Sequence, residues 1–76
     1  LPSAMVNLLG AEGHTGPARY QGVQEAMQMA GVHIHLYGKS MTKPFRKMGH
    51  VTLTGLTLEE VKTKAESVKN TIQVIS

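Results

Sequence analysis

The 76-residue sequence lacks cysteine, tryptophan and aspartate, and each absence excludes a class of structure or function. Without cysteine there is no disulfide framework, no thiolate metal site and no cysteine nucleophile. Without aspartate, the few remaining carboxylates leave little for paired acid–base chemistry or for an oxygen-ligated magnesium site. Aromatic residues make up only 4% of the chain, so it has no platform on which nucleic-acid bases could stack. The carboxylates are Glu12, Glu25, Glu59, Glu60 and Glu66.

Long apolar runs are also missing from the sequence. No stretch approaches the roughly 20 residues required to cross a bilayer, and the N-terminus has neither the basic region nor the apolar stretch of a signal peptide. We therefore expect a soluble, cytoplasmic protein with no membrane partner. The length allows one small domain with a marginally stable core, and because the chain begins with Leu1 we expect a fragment of a larger protein.

Positive charge is concentrated in one segment of the chain. The net charge is +3, and no acidic residue occurs between Glu25 and Glu59. Cations without local compensation form a positive field suited to a phosphate or another anion. Charge alone also allows a solvated basic loop, so it does not decide between the two interpretations. We define the basic cluster in this interval as Lys39, Lys43, Arg46 and Lys47.

The N-terminal part is predicted to contain one strand and one short helix. Residues 4–9, AMVNLL, form an apolar run of strand length that is closed by Gly10. Residues 10–17 are rich in glycine and contain a proline, which indicates a loop with His14 near its tip. Apolar residues then recur at helical spacing, and Gly31 is placed to end that helix. The residues on its apolar face are Tyr20, Val23, Met27 and Ala30.

A period of two indicates strands at residues 32–37 and again at residues 48–54. The connection at residues 38–44 is rich in turn residues. We therefore expect an antiparallel hairpin whose connecting loop holds the basic cluster at one end of a sheet. Gly49, within the second strand, is expected to mark a β-bulge or a close backbone approach.

The C-terminal segment has the strongest helix signal. Thr57 and Glu60 form a T-x-x-E capping box, and an apolar stripe then continues to Ile75 at steps of three and four residues. Such a stripe can bury against a sheet or form a coiled-coil seam, and the sheet predicted in the same chain favours burial. The predicted fold class is therefore α+β: a small antiparallel sheet of about three strands, one short helix and one long C-terminal amphipathic helix.

Two of the histidines, His33 and His35, project from the same face of one predicted strand, a spacing that occurs in metal sites. His14 or His50 could supply a third ligand, but strand histidines are more often plain polar-face residues, and we expect no metal site here. No serine has the surroundings of a nucleophile, and GAEGHTG at residues 10–16 matches neither a Walker sequence nor a dinucleotide fingerprint. We therefore predict no catalytic residue in this chain.

Residues 35–55, HLYGKSMTKPFRKMGHVTLTG, resemble the C-terminal signature of the N5-carboxyaminoimidazole ribonucleotide synthetase family. These ATP-grasp enzymes of purine biosynthesis form the ATPase subunit of phosphoribosylaminoimidazole carboxylase. In the family a YGK element is followed by an R-P-x-R-K-x-G-H block, and an MVNLLG-like strand lies upstream, as at residues 5–10 here. Lys43 and Phe45 depart from the commonest pattern, which has arginine and glycine at these positions. The combination at these separations is far more specific than any one piece.

The resemblance implies that residues 1–76 are a single C-terminal domain of a larger ATP-grasp enzyme, with a barrel-sandwich-hybrid-like fold. The family reaction uses ATP and magnesium to activate bicarbonate as carboxyphosphate, and the amine of 5-aminoimidazole ribonucleotide captures the derived CO2 unit. The resemblance places ATP and magnesium mainly in the preceding central ATP-grasp domain, in agreement with the few acids of this chain. The implied partners are 5-aminoimidazole ribonucleotide, bicarbonate, ATP and the central domain, and a homodimer is left open.

By motif match, the resemblance assigns binding of the substrate phosphate to three members of the basic cluster. A phosphate monoester suits a guanidinium fork together with an ammonium point charge, and a loop at the end of a hairpin can bring both together. The three are Lys39 of YGK, Arg46 of RKMGH and the adjacent Lys47, and the candidate supporting residues are Tyr37, Lys43 and His50.

The sequence supports two classes of function. The first is the C-terminal domain of the synthetase, inactive as an isolated chain, or of a related ATP-grasp ligase that acts on another phosphorylated amine. The alternative is a free-standing basic module that binds RNA or another polyanion, with log affinity falling linearly in log salt. The small size and basic charge fit this alternative, while the scattered aromatic residues argue against it.

Overall fold

The computed structural model describes all residues 1–76 and has the element order of an α+β domain. The helices are Val23–Met27 (α1) and Leu58–Thr71 (α2). One three-stranded antiparallel sheet has the order β1-β6-β4, and two short antiparallel pairs join β2 to β5 and β3 to β7. The strands are Ser3–Leu9 (β1), Gly16–Pro17 (β2), Arg19–Gln21 (β3), Val32–Leu36 (β4), Met41–Thr42 (β5), Lys47–Thr54 (β6) and Gln73–Ile75 (β7).

Strand β6 is the centre of the three-stranded sheet because its alternating side chains bury one face. Val51 and Leu53 are fully buried, while the intervening Thr52 is partly exposed. Val6 of β1 and Ile34 of β4 both lie opposite Val51, so one apolar row crosses all three strands. The predicted hairpin of β4 and β6 is confirmed, and β1 completes the sheet on the other side of β6.

Helix α2 begins at the predicted capping box. The Thr57 hydroxyl oxygen accepts a hydrogen bond from the Glu60 N–H at 3.1 Å, and Glu60 Oε2 accepts one from the Leu56 N–H at 2.6 Å. The Leu56 N–H and then Lys64 hold the pKa of the Glu60 carboxyl below its ordinary value of 4.5, because both favour the ionised form. Lys64 lies 3.4 Å from Glu60 and also donates to the Thr54 carbonyl at 3.1 Å. This side chain therefore ties α2 to the end of β6.

Both helices are shorter than their apolar patterns predicted. Helix α1 has only five residues, and Tyr20, predicted on its face, lies in β3. Helix α2 stops at Thr71, so Ile75, the predicted end of its stripe, lies in β7. The two errors share a cause, because β3 and β7 pair with each other and three-residue strands have too few side chains to show a period. Gly22, at φ +79°, turns the chain between β3 and α1.

The core lies between one face of the three-stranded sheet and α2, with α1 and β7 at its margins. The side chains of the opposite face are exposed or partly exposed, and we call it the outer face. No helix of the chain has both the length and the apolar character that a bilayer crossing requires. The buried apolar residues are Val6, Leu8, Ala26, Met48, Val51, Leu53, Val61, Val68, Ile72 and Val74. The outer face is defined by Met5, Asn7, His33, His35, His50 and Thr52.

Candidate functional site

The segment between β4 and β6 carries the basic cluster and is held against the rest of the domain at two points. Strand β5 pairs with β2, where Thr42 lies opposite Gly16. Residues 43–46 then form a tight turn in which the Arg46 N–H donates to the Lys43 carbonyl at 3.1 Å. The sequence predicted a plain connection here, and that prediction was wrong in this respect: β5 is too short for its pattern to be recognised. The cations are therefore presented by an anchored segment.

The turn at residues 43–46 has an unusual residue at its third position. Pro44 precedes Phe45, and Phe45 has a φ of +64°, which matches a type II turn, where glycine is normally required. Phe45 is 63% exposed, so burial of its ring does little to offset the strain of a left-handed backbone. The conformation is imposed from outside, because the Phe45 N–H donates to the Gly10 carbonyl at 2.8 Å.

Replacing Phe45 with glycine is expected to stabilise the domain by about 1 kcal/mol, since it removes the left-handed strain and exposes little new apolar surface. Urea unfolding of this chain measures the change in the free energy of unfolding. Phe45→Ala is the matched control because it removes the ring and keeps the strain, and it should give no such gain. If both variants shift stability alike, the ring rather than the backbone determines the effect.

Gly10 is the anchor of this turn. Its N–H donates to the Arg46 carbonyl at 2.8 Å, in addition to the bond that its own carbonyl accepts from Phe45. A Cβ on Gly10 would overlap the Lys43 carbonyl oxygen and would also press on the side chain of Thr42, which is buried beneath the turn. Glycine at the end of MVNLLG is therefore required by the close approach of the cation-bearing turn.

A β-bulge at the start of β6 sets the direction of Lys47. Leu8 lies opposite Gly49 but Leu9 lies opposite Lys47, so Met48 is an extra residue on β6. The bulge turns Met48 into the core, where it is fully buried, and leaves Lys47 exposed on the same face as Leu9. The bulge therefore lies at Met48, next to Gly49, and the close backbone approach predicted at Gly49 is confirmed, because a Cβ there would lie 2.5 Å from the His35 carbonyl oxygen.

Lys39 reaches across the segment to the beginning of β6. Its ammonium donates to the Lys47 carbonyl at 2.6 Å and lies 5.7 Å from the centre of the Tyr37 ring. This bond brings the ammonium to the main chain one residue beyond Arg46. No member of the basic cluster forms an ion pair, since the only salt bridge of the chain joins Lys64 to Glu60. The charges of the cluster are therefore not neutralised by any carboxylate of this chain.

Next to Lys39, aromatic and imidazole rings cover part of the outer face. The Tyr37 hydroxyl and His50 Nδ1 are hydrogen-bonded at 2.8 Å, and the His50 and His35 rings stack at 4.7 Å. Tyr37 and His50 were predicted from the sequence as supporting residues, whereas the stacking of His35 on His50 was not predicted. The β4–β6 register, which places His35 opposite His50, is the feature that would have identified it.

The histidine metal site considered from the sequence is not assembled. The chain contains no group of three or more histidine or carboxylate side chains that could hold a metal ion. His14 instead forms hydrogen bonds with Ser76 through Nδ1, accepting from the Ser76 N–H at 3.2 Å. His33 faces solvent opposite Thr52, and His35 is stacked on His50.

Comparison with known proteins identifies close relatives of this fold. The family model for the phosphoribosylaminoimidazole carboxylase C-terminal domain matches residues 3–64. N5-carboxyaminoimidazole ribonucleotide synthase of Aquifex aeolicus is 41% identical over 68 residues, which are 90% of this chain and 17% of that protein. Formate-dependent phosphoribosylglycinamide formyltransferase of Synechococcus sp. (strain CC9902) is 32% identical over 74 residues, 97% of this chain and 19% of that protein.

A solved structure also matches the whole chain. The crystal structure of N5-carboxyaminoimidazole ribonucleotide synthetase from Thermotoga maritima has a TM-score of 0.94 and 42% sequence identity, and the match covers 100% of this chain and 21% of that one. The chain thus spans about a fifth of the length of these relatives.

Proposed function

Because the chain belongs to the family of phosphoribosylaminoimidazole carboxylase C-terminal domains, we propose that it is the C-terminal domain of an ATP-grasp ligase of purine biosynthesis. The ligase converts 5-aminoimidazole ribonucleotide, bicarbonate and ATP to N5-carboxyaminoimidazole ribonucleotide, ADP and phosphate. The role of this chain is to bind the 5'-phosphate of the ribonucleotide. The observation that carries this role is a basic cluster without ion pairs on a segment anchored by Gly10. The barrel-sandwich-hybrid-like architecture belongs to the same proposal.

Arg46 and Lys39 provide complementary contacts for a phosphate monoester. A guanidinium can bind two phosphate oxygens at once, and an ammonium adds a point charge. The bond from Lys39 to the Lys47 carbonyl uses one of three ammonium donors and leaves two for the ligand. The Arg46 backbone is held through both its N–H and its carbonyl, so only its side chain has to be ordered on binding.

Magnesium and ATP are assigned to the central ATP-grasp domain, outside this chain. The residues present here do not fit a magnesium site, because no carboxylate occurs between Glu25 and Glu59 and no ligand cluster is assembled. The role proposed for this chain is therefore limited to binding of the substrate phosphate. In isolation it should bind the ribonucleotide weakly and release no ADP from ATP, because a few cations without the rest of the pocket cannot offset the entropy lost on binding.

A second ligase remains a candidate because one relative is a formate-dependent phosphoribosylglycinamide formyltransferase. The substrates of both reactions carry a phosphoribosyl group, so the same basic cluster would serve either. The family model that matches residues 3–64 and the 42% identity to the Thermotoga maritima synthetase across the whole chain support the carboxylating enzyme. The family match favours both ligases over the polyanion-binding module.

The substrate assignment is tested by ADP release from the full-length enzyme. With bicarbonate and ATP present, we expect release to depend on 5-aminoimidazole ribonucleotide. Dependence on phosphoribosylglycinamide and formate instead would identify the second ligase. Release that responds to neither pair of substrates would contradict the proposal, as would rapid ATP turnover by these 76 residues alone.

A further inference from the structure

A continuous series of side-chain contacts crosses the outer face and ends at the basic cluster. It begins where the His35 ring stacks on His50, and continues through the 2.8 Å hydrogen bond between His50 Nδ1 and the Tyr37 hydroxyl. The Tyr37 ring then lies beneath the Lys39 ammonium, which donates to the Lys47 carbonyl. Three of the four links join β4 or the residues just after it to β6, and the contact between Tyr37 and Lys39 lies within the segment that follows β4.

The β4–β6 register produces this series. His35 lies opposite His50 and Leu36 opposite Gly49, so the following residue, Tyr37, extends beyond the paired region toward the bulge. The Tyr37 N–H donates to the Met48 carbonyl at 3.0 Å, which fixes its backbone against β6. Tyr37 is nevertheless 46% exposed, so little packing restrains its ring. The hydrogen bond to His50 is the restraint on the phenol end of the ring.

A restrained ring matters because the proposed ligand-binding group, the Lys39 ammonium, lies over it at 5.7 Å from its centre. A lysine side chain has many rotamers, and ordering it on binding opposes the affinity that its charge supplies. The Tyr37 ring and the Lys47 carbonyl hold the Lys39 ammonium before any ligand arrives. If the ring turned freely, one of these two restraints would be lost.

We infer that His50 and Tyr37 are positioning residues that act in series to hold the Lys39 ammonium ready for the substrate phosphate. This inference rests on the proposed function. His50 acts through the Tyr37 hydroxyl, and Tyr37 acts through its ring face; neither residue itself contacts the phosphate. Either neutral tautomer of His50 serves, since the hydroxyl can donate to Nδ1 or accept from it.

Steady-state kinetics of the full-length enzyme test the series. Tyr37→Phe and His50→Leu should each raise KM for 5-aminoimidazole ribonucleotide about fivefold, the effect of losing one ordinary hydrogen bond, while kcat and KM for ATP stay unchanged. Because His50 acts through Tyr37, the double variant should have a KM for the ribonucleotide no higher than that of either single variant. Additive effects in the double variant would overturn the inference.

Two further variants separate positioning from a structural role of His50. His50→Asn places an amide near the position of Nδ1 and should restore KM close to the wild-type value. His33→Leu is the matched control, because His33 lies on the same outer face but outside the series, and its KM should not change. If His50→Asn is as impaired as His50→Leu while Tyr37→Phe is normal, His50 acts without Tyr37 and the inference is wrong.

Lys39→Met distinguishes failure of this inference from failure of the proposed function. If Lys39→Met raises KM for the ribonucleotide and the Tyr37 and His50 variants do not, the phosphate site stands and the positioning series is rejected. If Lys39→Met leaves KM for the ribonucleotide unchanged, Lys39 does not bind the phosphate and that part of the proposed function is wrong.

Discussion

Arg46→Ala in the full-length enzyme is expected to weaken use of 5-aminoimidazole ribonucleotide by about 2 to 4 kcal/mol in kcat/KM, roughly a 30- to 1000-fold loss. This size is expected for the loss of the proposed charged, two-point contact between Arg46 and a phosphate dianion. ATP binding should be nearly unaffected, because the nucleotide is assigned to another domain. Initial rates measured against each substrate in turn give both constants.

Two arginine variants make the Arg46 result interpretable. Arg46→Lys keeps the charge and loses the guanidinium fork. Its kcat/KM for the ribonucleotide should therefore lie between those of Arg46→Ala and the wild type. Arg19→Ala removes an exposed arginine of β3, outside the basic cluster, and should leave the kinetics unchanged. A defect in ATP binding as large as the defect in ribonucleotide use would contradict the assignment of Arg46.

Gly10→Ala is expected to lower the free energy of unfolding by about 2 to 3 kcal/mol. The added methyl group overlaps the Lys43 carbonyl, which belongs to the main chain and cannot move aside as a flexible side chain could. The turn at residues 43–46 has to shift, so the full-length variant should also lose ribonucleotide affinity. Urea unfolding of this chain measures the first effect, and KM of the full-length enzyme measures the second.

Gly13→Ala is the matched control for Gly10→Ala. Gly13 lies nearby in an exposed loop with open space around the position of a Cβ, although its φ of +78° disfavours alanine. We expect a loss of about 1 kcal/mol from the backbone conformation alone and no change in KM. If the two variants are equally destabilised and equally active, close packing of the turn on Gly10 is not what holds the cations.

The elements that were predictable from the sequence are those with enough residues to show a period or a cap. Strand β6 alternates over eight residues, and the Thr57–Glu60 capping box marks the start of α2. The short strands had no such signal, and because β3 and β7 were not recognised, Tyr20 and Ile75 were assigned to helices. Strands of two or three residues exist through tertiary pairing, which no local pattern records.

The candidate site was predictable in composition but not in arrangement. The acid-free interval around Lys39 and Arg46 is visible in the sequence as a charge pattern, and so is the motif that carries it. The docking of the turn on Gly10 joins segments more than 30 residues apart, so it depends on the fold as a whole. The stacking of His35 on His50 likewise depends on the register between β4 and β6, which the pairing of the two strands determines.

The strand pairings have a consequence for the order in which the domain can fold. Ser3 pairs with Thr54, and Arg19 pairs with Ile75, so the first strand and the third each need a partner from the C-terminal half. Closing such long loops lowers the entropy of the chain before the stabilising contacts form. Folding is therefore slower than for a helical protein of this size. During synthesis, β1 has to remain unpaired until β6 has left the ribosome. The anchor at Gly10 and the cations of the turn therefore cannot come together until the residues through Arg46 have been synthesised.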